Sequence, residues 1–373
     1  MKIIHIINSL GDGGAEHSLF KICKYDIINK HIVISLTGSG KYGLLLKNLG
    51  TKVYCLNANF FSIHKFFYLI KLLRYLKPDI VQTWLVHADL IGGIAARIAN
   101  IKNIVWNIRY TKLDKKKIKL KTFFILKLLS KLSFLIPKAI IINSKQAFRD
   151  FKEEGYEQKK FRYIPNGYDL SILKPSKIQT KNFKKLIKIK KQTPLIGYVA
   201  RYDPLKDHLN LLNSLSLMRL KNIDFFCVLV GTNINKNKLL INKIKKLKLK
   251  NFIKLFGAKK NISNIMNGID IHVLTSISEG FPNVLAEAMA HGTPCVSTNV
   301  GDASVIIGKT GLIVPINDSV KLASKIEKLI LEKGTKQWKQ RCNLARLRIN
   351  KNFHINKMIK SYNKLYFNIL KNE

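Results

Sequence analysis

Short, nearly unbroken apolar runs alternate with longer mixed segments along this chain, and the alternation stops and restarts once. That rhythm reads as βαβ units with parallel sheets, because strands covered by helices on both sides are apolar on both faces. In the first half the expected strands lie near 2–8, 31–36, 52–56, 79–84, 103–107 and 138–143, with Ala139-Ile140-Ile141-Ile142 the clearest. Helical stretches such as 15–24 and 88–99 separate them. A lysine-rich segment, 174–192, carries Pro175 and little periodicity and reads as a linker. Strands are expected again near 195–200, 225–230, 252–256, 271–275 and 294–298. Over 355–370 apolar residues recur at i, i+3 and i+4, an amphipathic helix that must pack on one domain or the other. The expected domains are therefore 1–173 and 193–350, followed by a helix over 351–373. A chain of 373 residues has room for two such cores. Two α/β domains imply a cleft lined by loops at the carboxyl ends of the strands.

The charge is lopsided, with 66 Lys+Arg against 22 Asp+Glu, a net +44. Such an excess calls for an anionic partner: a membrane surface, a nucleic acid or a phosphorylated substrate. Compositional drift toward lysine is the competing explanation, since the lysines are spread along the whole chain. A basic nucleic-acid-binding protein would account for the charge, but no recognition motif or aromatic stacking platform is visible, so no nucleic acid is expected. Hydrophobic residues, at 47%, exclude a disordered chain. Cys23, Cys55, Cys227, Cys295 and Cys342 are odd in number, widely spaced and free of any C-x-x-C pair. That argues against a disulfide framework and a zinc site, and for a reducing compartment. The apolar run at 3–7 is broken by His5 and followed at once by Asn8, Gly11 and Asp12, so it reads as a strand and not a signal peptide. The longest apolar stretch, 123–136, is interrupted by Lys127 and Lys131 and is too short to span a bilayer. A cytoplasmic, soluble or surface-bound protein is expected.

The strongest local signal runs from Thr275 to Ala290. A strand ends at Thr275, a loop carries Glu279, Gly280 and Phe281, and Pro282 fits a first helical position. Gly292 stops the helix after about His291. Amides near Asn283 and Val284 then form the positive end of a helix, a ready site for a phosphate. Glu279 precedes the helix and Glu287 lies about one turn inside it, so the two carboxylates flank the anion site rather than share a proton. Glu287 suits a ribose diol, and Glu279 a sugar hydroxyl or a developing positive charge. Solvated glutamates on an ordinary strand–loop–helix are the alternative, and the intervening Gly-Phe-Pro-Asn weighs against it.

Further segments sit at strand ends. Arg201 and Lys206 lie five residues apart across a turn after the first strand of the second half, placed to clamp one diphosphate by a fork and a point charge. In so basic a chain the pair alone means little; its position gives it weight. Asn8 to Glu16 is a glycine loop in which Gly11, Gly13 and Gly14 let backbone approach a ligand. Glu16 breaks G-x-G-x-x-G and no G-K-[ST] follows, which weakens a dinucleotide enzyme and an NTPase together; a plain flexible turn is the alternative. His87 opens a helix three residues beyond Trp84, although a lone histidine is more often structural. Arg109 follows the next strand, and Pro165-Asn166-Gly167 marks a tight turn.

Together these motifs resemble the family 4 glycosyltransferases: retaining, nucleotide-sugar-dependent enzymes of the GT-B fold, with two Rossmann-like domains facing a cleft. The resemblance covers nearly the whole chain in order. It rests on Gly13-Gly14-Ala15-Glu16, on Ile164-Pro165-Asn166-Gly167 with Asp169, on Arg201 and Lys206, and on an E-x7-E motif from Glu279 to Glu287 with Gly280 and Asn283. Ala200 stands where glycine is common, and Asp207 replaces a frequent glycine or asparagine. The resemblance implies that Arg201 and Lys206 bind the donor diphosphate, aided by the amides near Asn283 and Val284. It puts Glu287 on the ribose, and Glu279 with the amides near Gly280 and Phe281 on sugar hydroxyls. Gly13 and Gly14 would approach phosphate and sugar, His87 would sit beside the sugar, and the base would lie near Gly257 to Lys260. Arg109 and Asn166 would serve the acceptor side. With the two cations in place of a metal and no D-x-D motif at a strand end, neither metal nor cofactor is expected. A GT-B sugar-nucleotide 2-epimerase is the nearest enzymatic alternative.

Lys115, Lys116, Lys117, Lys119 and Lys121 precede Phe123, Phe124 and a leucine-rich stretch, the make-up of a helix lying in a membrane interface, with Phe60, Phe61, Phe66 and Phe67 as further contributors. A buried helix with solvated lysines is the alternative. The membrane reading leads to a lipid-linked saccharide acceptor in bacterial surface-polysaccharide assembly, of lipopolysaccharide, capsule or O-antigen type, on the inner face of the cytoplasmic membrane.

Overall fold

Strands form where apolar residues are continuous, and helices between them force parallel pairing. The computed structural model describes residues 1–57, 62–109, 120–190, 192–259 and 261–371. The chain makes two units, Met1–Gly167 with Ile355–Glu373, and Tyr168–His354.

In the first unit β1 (Lys2–Ile7), β2 (Lys30–Ser35), β3 (Lys52–Cys55), β4 (Ile80–Trp84), β5 (Ile104–Ile108), β6 (Ala139–Ile142) and β7 (Phe161–Tyr163) form one parallel sheet, ordered β3-β2-β1-β4-β5-β6-β7. Its helices are α1 (Gly14–Tyr25), α2 (Gly40–Asn48), α3 (Ile63–Leu76), α4 (Val86–Ile98), α5 (Leu120–Leu132) and α6 (Lys145–Glu153). In the second unit β8 (Leu195–Val199), β9 (Phe226–Val230), β10 (Ile253–Phe256), β11 (Ile271–Leu274), β12 (Cys295–Thr298) and β13 (Leu312–Val314) are ordered β10-β9-β8-β11-β12-β13, again all parallel. Its helices are α7 (Lys177–Ile187), α8 (His208–Leu220), α9 (Lys238–Lys246), α10 (Ile262–Gly268), α11 (Asn283–Ala290), α12 (Ala303–Ile307), α13 (Ser319–Glu332) and α14 (Lys336–Phe353). The chain then returns to the first unit as α15 (Ile355–Lys371).

Each sheet has one place where the strand order reverses: between β1 and β4 in the first unit, and between β8 and β11 in the second. Connections on either side of such a point leave for opposite faces and open a crevice at the strands' carboxyl ends. The loops after β1, β4, β8 and β11, four of those singled out in the sequence, lie at these two points.

One core of the first unit joins Leu69 and Leu73 of α3, Ala95 of α4, Leu129 of α5 and Phe151 of α6. Another joins Leu19 of α1 and Tyr42 of α2 to α15. Ile355, Met358, Ile359, Tyr362, Leu365, Tyr366 and Ile369 of α15 are all buried, the residues picked out by the i, i+3, i+4 spacing. Their burial is worth on the order of 10 kcal/mol before the entropy of ordering is subtracted. Gly167 lets α15 in: a Cβ there would lie 2.9 Å from the Ile355 Cα and 2.8 Å from the Met358 Cβ.

Two expectations need correction. The segment 174–192 is not a featureless linker, because α7 occupies most of it and buries Phe183 and Ile187 in the second unit's core. Those two, at i and i+4 among lysines, are too few to show as periodicity. The boundary falls at Gly167 and Tyr168, ahead of 173, and α14 carries the second unit to His354, past 350. The unexpected strands, β7 and β13, have three residues each and lie at sheet edges, too short to register as apolar runs.

Candidate active site

In the second unit the loops after β8 and β11 are bound to each other. The Thr275 hydroxyl meets the carbonyls of Lys206 and Asp207 at 2.9 and 2.8 Å, and the Ile277 N–H donates to the Leu205 carbonyl at 2.9 Å. The Tyr198 hydroxyl donates to the Lys206 carbonyl as well. Lys206 Nζ then reaches Glu279 Oε1 at 2.5 Å, with 19% and 15% of the two side chains exposed. The buried Ser276 hydroxyl donates to the same oxygen at 2.7 Å. Ser276 is itself held, since the Thr298 hydroxyl donates to its carbonyl at 2.6 Å. Gly301, at φ +50°, allows the next loop against this one: a Cβ there would meet the Gly280 and Glu279 carbonyls at 2.3 and 2.4 Å. Ser276 and Thr298 hold Glu279 and its loop in place, and small hydroxyl residues at strand ends are the only sequence signal for them.

Asp207 adopts φ +46° and caps α8 by accepting the Asn210 N–H. A left-handed residue after Lys206 explains why glycine or asparagine is frequent there, and aspartate also tolerates it. Arg201 is 66% exposed and rests on Asp203 at 2.9 Å. Burial opposes ionisation of Asp203, but the Leu205 N–H and Arg201 outweigh it and hold its carboxyl below the usual range. Pro282 is the N-cap of α11 and not its first helical residue, so Asn283 and Val284 begin the helix. Positive helix-end potential at these amides favours an anion. The Tyr168 hydroxyl donates to Asn283 Oδ1 at 2.5 Å. The Phe281 side chain is buried against Phe353, so only its backbone is available to a ligand. Glu287 is half-buried one turn into α11, and its carbonyl is bonded to His291 Nδ1 at 2.8 Å. Gly257 follows β10, where a Cβ would crowd Asn235 Oδ1 at 3.1 Å; Lys260 lies outside the described residues.

In the first unit parallel pairing sets Ile7 of β1 beside Trp84 of β4, which brings the two following loops together. Asn8 Oδ1 accepts the Ala88 N–H at 2.8 Å, and Asn8 Nδ2 meets His87 Nδ1 at 3.2 Å. Leu85, just before α4, is held at φ +73°, ψ 162°, a region almost reserved for glycine. No sequence signal announces that strain. Partial burial lowers the His87 pKa. Gly13 is the N-cap of α1, and a Cβ there would lie 2.4 Å from Glu16 Oε2. The carboxylate of Glu16 therefore folds back over the glycine loop.

Arg109 and Asn166 are brought together, with the guanidinium donating to Asn166 Oδ1. Arg109 also donates to Asn107 Oδ1 at 2.8 Å and to the Tyr362 hydroxyl at 2.5 Å, and lies 5.2 Å from the Trp84 ring centre. Asn166 is 4% exposed. The pair ties β5 and the 165–167 turn to α15. Among the described residues, His5, Cys23 and His31 bring three metal-ligand atoms within 4.8 Å. Hydrogen bonds already fill that cluster. The Trp84 indole donates to His5 Nδ1 at 3.2 Å, His5 Nε2 faces His31 Nδ1 at 2.9 Å, and His31 Nε2 faces Asp26 at 3.1 Å. An indole only donates, so a metal on His5 Nε2 would leave two N–H groups facing each other at Nδ1. The donor set does not fit a metal.

Two parallel α/β sheets, each with charged and glycine-rich loops at its switch point, define a GT-B protein. The family description "Glycosyltransferase Family 4" matches residues 13–172, and "Glycosyl transferases group 1" matches 179–348. The chain belongs to the family 4 glycosyltransferases. It is 25% identical over 312 residues to an Escherichia coli UDP-Gal:α-D-GlcNAc-diphosphoundecaprenol α-1,3-galactosyltransferase, covering 82% of this chain and 79% of that one. It is 27% identical to the Staphylococcus aureus capsular polysaccharide biosynthesis glycosyltransferase CapM, over 75% and 74% of the two chains. The Anabaena protein HepE, solved in complex with UDP, shares the fold at a TM-score of 0.87 and 22% identity, over 98% of this chain and 99% of that one.

Proposed function

We propose that this enzyme transfers a hexosyl group from a UDP-sugar to a lipid-linked saccharide, with retention of configuration and without a metal, in surface-polysaccharide assembly at the inner face of the cytoplasmic membrane. The observation that carries this reading is the Lys206–Glu279 pair at the second sheet's switch point, beside the first turn of α11. A nucleoside diphosphate leaving group gathers negative charge as the sugar C1–O bond breaks. Lys206, Arg201 and the α11 amides offset that charge without a cation from solution. Ser276 and Lys206 both engage Oε1 of Glu279, which orients Oε2 for sugar hydroxyls. Glu287 takes the ribose, and His87 and the glycine loop of the first unit contact the sugar. Support for the donor and acceptor comes from the Escherichia coli relative, whose name specifies UDP-galactose and a diphosphoundecaprenol-linked acceptor, and from HepE, solved with UDP.

The test is transfer to a polyprenyl-diphosphate-linked saccharide from UDP-, GDP- and ADP-sugars, with and without a chelator, and NMR of the product's anomeric proton. Transfer from a UDP-sugar, undiminished by chelator and with the donor's anomeric configuration, is the expected result. An inverted product or chelator-sensitive turnover would overturn the mechanism, and an altered sugar nucleotide formed without acceptor would replace it with epimerisation.

A further inference from the structure

Nothing in the transfer scheme above uses Glu16, although it stands in the first turn of α1, beside the first sheet's switch point. With 8% of the residue exposed, it is all but buried. A carboxylate so placed ordinarily has a cation or several N–H donors around it. Glu16 has neither among the described residues, in a chain carrying 66 lysines and arginines. Its one hydrogen bond there comes from the Ser9 hydroxyl at 3.5 Å, long for two oxygens. Glutamate suits a third helical position because it can reach back to the N-cap N–H. Glu16 makes no such bond.

The carboxylate lies instead across Gly13. A Cβ on Gly13 would be 2.4 Å from Oε2, 3.1 Å from Cδ and 3.3 Å from Oε1. The Gly13 backbone, at φ −138° and ψ 171°, is extended and open to any residue. The neighbour that requires glycine here is therefore the carboxylate. Oε2 accepts no hydrogen bond, yet it is not among the polar atoms sealed inside the protein. It opens to the surface from a nearly buried side chain.

We propose that Glu16 is the base for the acceptor, an assignment that rests on the transferase reading above. Oε2 accepts a hydrogen bond from the attacking hydroxyl of the acceptor saccharide. The hydroxyl oxygen then forms its bond to the sugar C1, the C1–O bond to the diphosphate breaks with its electron pair, and the hydroxyl proton passes to Oε2. Water takes that proton once the product leaves. A carboxylate accepts hydrogen bonds and donates none, so a ligand over Gly13 must bring an O–H or N–H. A diphosphate brings neither and is repelled by the charge. The donor's phosphates, ribose and sugar hydroxyls are already provided for in the second unit by Lys206, Arg201, Glu287 and Glu279. The hydroxyl still to be held is the nucleophile.

The test uses the UDP-sugar and the polyprenyl-diphosphate-linked saccharide that wild type turns over, with UDP affinity and melting temperature to show that each variant folds. Glu16→Gln keeps the shape and the hydrogen-bond acceptor but takes no proton. It should lower kcat about a hundredfold or more and move the acceptor KM by no more than about threefold, the split expected of a lost general base. Affinity for UDP and for the UDP-sugar should stay at the wild-type value. Gly13→Ala should lower kcat at least about tenfold by displacing the carboxylate, and should cost nothing further in a Glu16→Ala background. Transfer by Glu16→Gln within about tenfold of wild type would overturn the assignment, since a general base contributes more than that. So would a loss of UDP-sugar affinity in Glu16→Gln, which would put the carboxylate on the donor, or an undiminished cost of Gly13→Ala once the carboxylate is gone. A wild type that glycosylates no polyprenyl-diphosphate-linked saccharide would overturn the acceptor reading itself, and this assignment with it.

Discussion

Asn8 fixes the tautomer of His87. Its Oδ1 is taken by the Ala88 N–H, so its amide nitrogen is the group facing His87 Nδ1 and must donate there. A neutral His87 therefore carries its proton on Nε2, and burial keeps the ring neutral by lowering its pKa. Asn8→Ala should lower kcat about tenfold, the worth of one such bond, and leave UDP affinity unchanged. Asn8→Asp offers only acceptors, so it should protonate Nδ1, raise the His87 pKa and shift the acid limb of the rate profile to higher pH. Wild-type kcat in both variants would remove His87 from the chemistry.

Lys206 and Glu279 share one hydrogen bond, so their substitutions should not add. Lys206→Ala and Glu279→Ala should each cost roughly 1.5–3 kcal/mol in kcat/KM, the range for bonds to charged groups. The double variant should fall well short of the sum, because each single change strands the other charge. Arg201, two-thirds exposed and resting on Asp203, should cost less when changed to Ala. Strict additivity for Lys206 and Glu279 would show that they work on separate parts of the reaction.

The two glutamates of the E-x7-E motif are expected to separate by calorimetry. Glu287→Ala should weaken binding of free UDP, because the ribose diol loses its acceptor, whereas Glu279→Ala should spare UDP affinity and lower turnover. An equal loss of UDP affinity in both would mean that the carboxylates have been assigned the wrong sugars.

Acid should destabilise the second unit through buried imidazoles. His208 lies between the rings of Tyr198 and Tyr202, and burial with help from Lys206 lowers its pKa to about 4. Burial does the same to His272, also to about 4, against a smaller upward pull from the Gly197 carbonyl. Both are neutral when folded and take a proton near pH 6.5 when unfolded. The unfolded chain therefore binds more protons between pH 6.5 and 4, and stability falls as pH drops through that window. Each histidine contributes about 1.4 kcal/mol per pH unit there. His208→Phe should flatten the slope of melting temperature against pH, and an unchanged slope would count against this origin.

Much of the fold could be read from residues alone because burial on both faces leaves a plain trace, as in Ala139 to Ile142. The trace fails where an element buries only two or three side chains, as α7 does with Phe183 and Ile187. The charged and glycine-rich site residues were legible for a similar reason: Glu279, Lys206 and Gly13 stand at strand ends, which the apolar runs locate. Their mutual contacts were not. Lys206 meets Glu279 across 73 residues, and Arg109 meets Tyr362 across 253, distances that only strand order and helix docking bring together. The clamp on α15 is thus invisible until α15 is known to return to the first sheet. The lysine run at 115–119, with Phe60 and Phe61, lies outside the described residues.

Because α15 completes the core around β1, residues near the start and near the end of the sequence are anchored in one body, while Tyr168–His354 is an uninterrupted stretch. During synthesis the second unit is therefore whole before the first, whose sheet must wait for its last helix with an apolar face uncovered. A pull between residues 1 and 371 would load the first unit first, and only after α15 had peeled from the sheet would the force pass through Tyr168–His354. Cutting the chain after His354 would remove not a tail but a wall of the first unit's core.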